Sequence, residues 1–341
     1  MTRPVCSVVI PTYNGRALLE TCLASVERHR PDGLPTEVVV ADDGSTDDTA
    51  VWLAERHRWV RFVGLERNGG FVAAANAGIA AARGEFVQLL NNDAEVTPGW
   101  VEAGLAPFRE PTVGSVAPLV LVRSDPARVD SAGDSYSFVG WPSKRGHGEP
   151  ASRWADRPPD RVFGASGSAA FYRSSALRRV GGFDLSFGSY YEDVDLAFRL
   201  RWAGYSCVFT PRSRVLHEVS ASYDHARPEL QRRMARNAEY LFWLNLPPGR
   251  LALAAAPHLA FTLGQALWRL ARGQGRLHPF LAGKIDALRE WRTLAPRRRL
   301  RSDLARSPVA APHFPLNLTL LADVRNHLRR PREKTSRRTE G

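Results

Sequence analysis

Only three cysteines occur in the 341 residues: Cys6, Cys22 and Cys207. They are odd in number, far apart and without metal-ligand spacing, which excludes a disulfide framework and leaves reduced thiols as the simplest reading. The sequence has no GxxxxGK[ST] loop, which excludes a P-loop phosphate site. Its first strand–helix turn has no GxGxxG, which argues against a dinucleotide redox enzyme. No Cys/His or Ser/His/Asp arrangement stands out as a nucleophile system, and no internal repeat or long low-complexity segment is present. Long apolar runs are also scarce. The uncharged window from Leu251 to Trp268 contains Pro257, His258, Thr262 and Gln265, and is marginal for a membrane span. It reads as an interfacial helix, with Trp268, Arg269 and Arg272 suited to a headgroup boundary, or as a lid packed on the first domain. The start, "MTRPVCSVVIPTYNG", reaches Pro11 too soon for a signal-peptide apolar region, so a cytoplasmic protein is expected.

What is present is an ordinary core-forming composition, 44% apolar and 24% charged, with an uneven charge. The net charge is +12. Residues 296–341 hold twelve Lys or Arg against four Asp or Glu, so most of the surplus sits in a basic end. Such an end suits an anionic surface, membrane or nucleic acid, or is a solvated tail.

Near-continuous apolar runs at 6–10, 37–41, 60–64 and 85–90 predict parallel strands covered on both faces. Amphipathic stretches at 15–29 and 69–84 predict the helices between them, and the alternation predicts an α/β doubly wound, mostly parallel sheet. From 123 to 160 the sequence predicts an irregular connection. A helix at 191–204, a strand at 205–210 and a helix near 229–246 follow, and "NLPPGR" (245–250) marks a boundary. The expected organisation is a first domain over 1–245 and a helical, basic extension over 246–341, its last ~14 residues disordered by composition.

In an open α/β sheet, ligands bind beyond the carboxyl ends of the strands. Four polar clusters fall there: "PTYNG" (11–15), "ADDGSTDDT" (41–49), "ERNGG" (66–70) and "NNDAE" (91–95). One such cluster is turn chemistry or a helix cap; four at successive strand ends point to a ligand. What they offer is carboxylate, Asp42, Asp43 and Asp93, and carboxylates repel phosphate unless a divalent cation stands between.

The order "SVVIPTYNG…VVVADDGSTDDT…NGGFVAAANAGI…LLNNDAEV…GFDLSFGSYYEDVDLAFRLRWAG" resembles the family 2 inverting glycosyltransferases of GT-A fold. Within them it is most similar to the rhamnosyltransferase-like members of cell-wall and surface-polysaccharide synthesis. The resemblance covers roughly 4–245. It implies that Asp42 meets the nucleobase edge, that Pro11, Tyr13 and Asn14 line the base and ribose pocket, and that Asn68, Gly69, Gly70 and Asn76 frame the nucleotide and its sugar. Asp43 and Ser45 join the nucleotide-sugar contacts. Asn91, Asn92 and Asp93 would take the Asp-x-Asp place, with Asp93 binding Mn²⁺ or Mg²⁺. Asn91 departs from the pattern and removes one charge from the cation site. His217 would be a further metal ligand and would favour Mn²⁺.

For the base, the resemblance points to Asp193 in "YYEDVDL", beside Glu192. Asp195 is the rival, on another face of the same helix. A helix N-terminus stabilises the carboxylate anion and lowers its basicity, whereas Glu192 and a desolvated site raise it again. "GASGSAAFYR" (164–173) is either a close substrate approach or a packed strand. Tyr190, Tyr191, Trp141 and Trp202 are stacking candidates. The implied activity is metal-dependent inverting transfer, as of rhamnose from dTDP-rhamnose, onto a lipid-linked or polysaccharide acceptor at the cytoplasmic membrane face, with no nucleic acid partner. Two alternatives stand beside it. One is a nucleotidyltransferase, for which only Arg16 serves near the first strand. The other is a non-catalytic basic binding module on an inactive sugar-nucleotide fold.

Overall fold

The computed structural model describes residues 4–218, 227–273, 277–311 and 313–316. The expected disordered end, with most of the basic residues beyond 316, lies outside the described residues.

The first half is a parallel sheet of β1 (Cys6–Thr12), β2 (Thr36–Asp42), β3 (Arg61–Gly64) and β4 (Phe86–Leu89), in the order β4-β1-β2-β3. Helices α1 (Arg16–His29), α2 (Thr49–Arg56) and α3 (Phe71–Ala81) make the crossovers. β1 and β2 are buried along nearly their whole length because both faces are covered, whereas β3 at the edge leaves Phe62 and Gly64 exposed. Val9, Val39 and Leu89 enter one core cluster, while Val8, Ile10 and Val40 enter the other, as a period of two requires.

The chain continues through β5 (Ala94–Val96), α4 (Trp100–Leu105) and β6 (Val113–Val122). After it come β7 (Asp125–Ser131), β8 (Asp134–Tyr136), β9 (Pro142–Lys144) and β10 (Asp160–Val162). The irregular connection expected over 123–160 is in part strand structure: β7 pairs back on β6, and β8 and β9 form a hairpin, while 145–159 holds no strand. β11 (Phe171–Arg173), α5 (Ser174–Val180), α6 (Glu192–Trp202) and β12 (Ser206–His217) complete the sheet, with β11 antiparallel between β4 and β6, and β12 parallel to β6. Pro118 disguises β6 in the sequence, since proline removes a ladder donor. It is tolerated because β11 pairs only with Ser115 and Val116, and because β12 has a register shift just after its partner Thr210.

Among the described residues four helices follow: α7 (Pro228–Asn245), α8 (Pro248–Arg272), α9 (Leu277–Arg289) and α10 (Trp291–Leu304). The sequence boundary falls between α7 and α8, yet α10 returns to α6. Arg301 is buried against Asp195 (3.0 Å) and Asp184 (3.3 Å), Arg297 pairs with Asp184 at 2.6 Å, and Arg298 donates to the carbonyls of Trp243 and Leu246. Phe314 packs on Phe198 and Trp202. The start of the basic end is thus a correction to the sequence expectation. Arg297, Arg298 and Arg301 are spent on carboxylates and carbonyls of the fold, whereas Arg299 and Arg306 are exposed.

Burial opposes ionisation of Asp195, but Arg199, Arg301 and Asn245 outweigh it and hold its carboxyl down to about 2. A depressed folded-state pKa contributes stability that is complete above the unfolded carboxylate range near about 4, and is lost as pH falls toward 2. Arg301→Ala should cost about 3–5 kcal/mol at neutral pH, because it strands buried charge. Chemical denaturation should show the gap to wild type narrowing as pH falls through that window.

Candidate active site

The carboxyl ends of β1, β2 and β4 open on a cavity of about 2310 Å³. The four polar loops around it are tied to one another. Asn14 Oδ1 accepts from Thr46 N at 2.8 Å, and Asn14 N donates to Ser45 Oγ at 2.8 Å. Asp43 accepts from Gly69 N and Gly70 N, both at 2.8 Å, with Gly70 at a positive φ of 85° that glycine adopts without strain. Asn92 Nδ2 donates to Thr12 Oγ1 at 3.0 Å. A side chain at Gly15 would bring its Cβ to 2.5 Å from that amide.

Pro11, Tyr13, Asn14, Asp43, Asn68, Gly69, Gly70, Asn91, Asn92 and Asp93 all line the cavity, with Glu192, Asp193 and His217. Four expected contacts do not: Asp42, Ser45, Asn76 and Trp202. Asp42 is buried and accepts from Ser45 N and Ser45 Oγ, so this pair closes the loop on itself. Asn76 spans the backbone of Phe183, giving to its carbonyl and accepting from its N–H, each at 2.9 Å. Trp202 is in the core with its Nε1 on the Asn245 carbonyl; Trp141, Tyr190 and Tyr191 line the cavity.

The donor set for a cation lies where β4 and β12 end. His217 Nε2 is 3.3 Å from Asp93 Oδ1 and 3.4 Å from Asn91 Nδ2. The approach to Asp93 has ion-pair distance without hydrogen-bond alignment, so Asp93 Oδ1 is buried without a donor, as is Asn91 Oδ1. Behind the ring, Asp130 Oδ2 meets His217 Nδ1 at 3.0 Å. Burial alone would lower the His217 pKa, but Asp130 and Asp93 raise it to about 9. A positive charge is therefore already favoured between these oxygens. Asp93 and His217, with the Asn91 oxygen, fit a divalent ion of the Mn²⁺ type. Among the described residues no group of three or more His, Cys, Asp or Glu is placed to hold a metal ion by itself. Substrate phosphate oxygens and water would complete such a shell.

The second acidic group lies at the start of α6. Asp193 Oδ2 accepts from Gly167 N and Oδ1 from Val194 N, each at 2.8 Å. Burial raises its pKa, and these backbone N–H groups only partly reverse the shift. Glu192 is pushed up well above its usual range by burial and by Asp193, and its Oε2 has no donor. Asp134 is likewise pushed up by burial and Asp193, its Oδ2 unpartnered. Of the three, Asp193 alone accepts two backbone N–H bonds that favour the anion. Those bonds favour the anion at Asp193, whereas burial and the charge of Asp193 push the carboxyls of Glu192 and Asp134 further up. Asp195 is excluded as base because Arg199, Arg301 and Asn245 occupy its oxygens.

Sequence reasoning missed Asp130, Asp134 and Lys144. Asp130 is buried between Lys144, His147 and His217; burial resists its ionisation, yet these partners hold its carboxyl well below the usual range. The signal was faint: three polar residues in a stretch read as a loop.

Tyr190 and Tyr191 lead into α6 with φ of 68° and 69°, a strained conformation for two aromatic residues. The buried Asn237 of α7 holds that turn by donating to the carbonyls of Phe187, Ser189 and Tyr190. Asn237→Ala should lower stability by about 2–3 kcal/mol by leaving these carbonyls unmet. It should also lower kcat with little change in donor affinity, as thermal melting and steady-state kinetics can establish.

Residues 7–181 match the family described as Glycosyl transferase family 2. The chain is 34% identical over 240 residues to N-acetylglucosaminyl-diphospho-decaprenol L-rhamnosyltransferase of Mycobacterium tuberculosis, covering 64% of this chain and 77% of that protein. It is 33% identical over 244 residues to the pre-mycofactocin glycosyltransferase of the same organism, covering 69% of this chain and 45% of that one. In fold it is similar to the mannosyltransferase PcManGT of Pyrobaculum calidifontis, solved with GDP-Man and Mn²⁺. That likeness has a TM-score of 0.52 and 23% identity over 84% of this chain and 88% of that one. It is also similar to GalNAc-T7, solved with UDP, GalNAc and Mn²⁺, with a TM-score of 0.56 and 20% identity. That match covers 70% of this chain and about half, 48%, of that one.

Proposed function

The chain belongs to glycosyl transferase family 2, and from that premise we propose that it is a metal-assisted inverting enzyme acting on a lipid-linked acceptor. The donor class proposed is a nucleotide-diphosphate sugar, with dTDP-rhamnose the first candidate. The observation that carries this reading is a single cavity that holds two acidic groups with opposite roles. One is a cation-binding pair, Asp93 and His217; the other is an ionised, buried carboxylate, Asp193.

The loops tied by Asn14, Asp43 and Asn92 hold the nucleotide over the strand ends. Asp93, His217 and the Asn91 oxygen would hold a divalent cation, which supplies Lewis-acid stabilisation of the departing diphosphate. Asp193 takes the proton of the acceptor hydroxyl as that oxygen bonds to the anomeric carbon. The bond from that carbon to the diphosphate oxygen breaks, and the nucleoside diphosphate leaves with the electron pair. Attack from the face opposite the leaving group inverts the centre. Glu192 and Asp134, pushed toward their protonated forms, keep further negative charge away from Asp193. The proposed location is the cytoplasmic face of the membrane, where both substrates are reachable.

The test is incubation of the purified chain with dTDP-, UDP- and GDP-sugars and a prenyl-diphosphate-linked acceptor, with and without Mn²⁺. The reading expects one nucleotide class to transfer in a Mn²⁺-dependent way, with inversion at the product's anomeric centre. Retention, or full transfer after chelation, would overturn it. Asp130 acts through His217 by orienting its ring. Asp130→Asn should weaken Mn²⁺ binding about 10–100-fold, with kcat recovering at saturating Mn²⁺.

A further inference from the structure

A second wall of the same cavity has the opposite chemistry. Built by α7, α8 and α9, it presents Arg233, Arg269 and Lys284 with Phe261, Trp268 and Phe280. Arg269 lies 4.1 Å and Lys284 5.0 Å from the centre of the Phe280 ring, so two cations share one aromatic side chain. Lys284 is also paired with Glu239, and Arg233 donates to Ser189 Oγ at 2.6 Å, which fixes both cations in place. The strand-end rim offers carboxylates and amides; this wall offers cations and apolar rings. One is built for a phosphate bridged by metal, the other for a phosphate met directly beside a hydrocarbon.

The outer face of α8 indicates where that hydrocarbon leads. His258, Phe261, Gln265 and Trp268 face the cavity, whereas Leu253, Leu259, Leu263, Leu267 and Leu270 are 57–73% exposed. At 3.6 residues per turn these leucines occupy about a third of the helix circumference, opposite the cavity side. α9 adds exposed Leu281, Ile285 and Leu288 at i, i+4 and i+7. The helix from Pro248 to Arg272 contains arginines and no Asp or Glu. Its mean hydropathy of 1.2 and length would allow a span, but crossing would put His258, Gln265 and Arg269 into hydrocarbon. Lying in the interface keeps them in the cavity.

We propose that the α7–α8–α9 wall is the subsite for the diphosphate head of a polyprenyl-linked acceptor, and that the α8 leucine face seats in the bilayer surface carrying the lipid tail. This deepens the reading above and rests on it for the donor side. The occupant follows from continuity, since one helix carries both faces, and from charge, since every ionised group on that helix is cationic.

Two arms test it on the full chain. In the first, geranyl diphosphate is titrated calorimetrically in the presence of saturating dTDP and Mn²⁺, so that the donor site is filled. Wild type should bind it and not geraniol; Arg269→Glu should weaken binding at least tenfold, and Arg269→Lys should largely restore it. No binding by wild type, or equal binding by Arg269→Glu, overturns the subsite. In the second, flotation with phosphatidylcholine–phosphatidylglycerol vesicles should fail for the Leu263→Glu/Leu267→Glu double variant. It should persist for Val51→Glu, a charged change at an exposed site on α2. Flotation of the double variant like wild type overturns the membrane seat. So does a dimer in vesicle-free solution that the same double variant abolishes. Sugar transfer is scored separately. If no nucleotide sugar reacts while both arms behave as described, the donor reading fails and this one stands.

Discussion

Asp193→Asn should lower kcat for sugar transfer by about 10³-fold while changing donor KM by less than about threefold. The substitution keeps an oxygen to accept from Gly167 N, so the loop at 166–168 stays where it is. What disappears is the one carboxylate in the Asp134–Glu192–Asp193 group that the backbone favours as an anion. Neither neighbour replaces it readily, because burial and the nearby Asp193 push both carboxyls well above their usual range. The same repulsion gives a second readout. Removing one acid from the cluster should leave the melting temperature unchanged or raised, as expected where an active site stores unfavourable charge. An inactive variant that is also less stable would point to a structural role. Asp195→Asn is the contrast, losing stability by weakening the pairs with Arg199 and Arg301.

Asp93→Ala should lower kcat/KM by at least about 10²-fold, roughly 3 kcal/mol of transition-state stabilisation. It removes the charged member of the donor set and leaves His217 facing only Asn91 on that side. Added Mn²⁺ should restore little, because an amide and an imidazole are a weak pair of ligands for an ion whose substrate is a dianion. Steady-state rates across a Mn²⁺ series distinguish lost affinity, which excess metal repairs, from lost chemistry, which it does not.

The parts of this architecture readable from sequence are those with local signals. β1 to β4 announce themselves as short apolar runs, and their polar ends mark the cavity because a doubly wound sheet binds ligands there. The side-chain pairings are another matter. Asp42 and Asp43 are adjacent and chemically identical, yet one closes its own loop on Ser45 while the other clamps Gly69 and Gly70. Asn76 looked like a ligand-facing amide and instead pins the Phe183 backbone. Only the fold assigns such roles. Asp130 reaches His217 across 87 positions of sequence, from a strand that composition did not distinguish from loop. Arg301 likewise sits in "PRRRLRSD", which reads as solvated charge until α10 is seen to bury it on Asp195.

The cation proposed between Asp93 and His217 should govern nucleotide diphosphate binding. Calorimetric titration of dTDP, UDP and GDP into the chain, with and without Mn²⁺, tests it most directly. At least one of the three should bind tenfold or more tighter with Mn²⁺, and that gain should vanish in Asp93→Ala. Equal affinity for all three with and without the metal in the wild-type chain would contradict it.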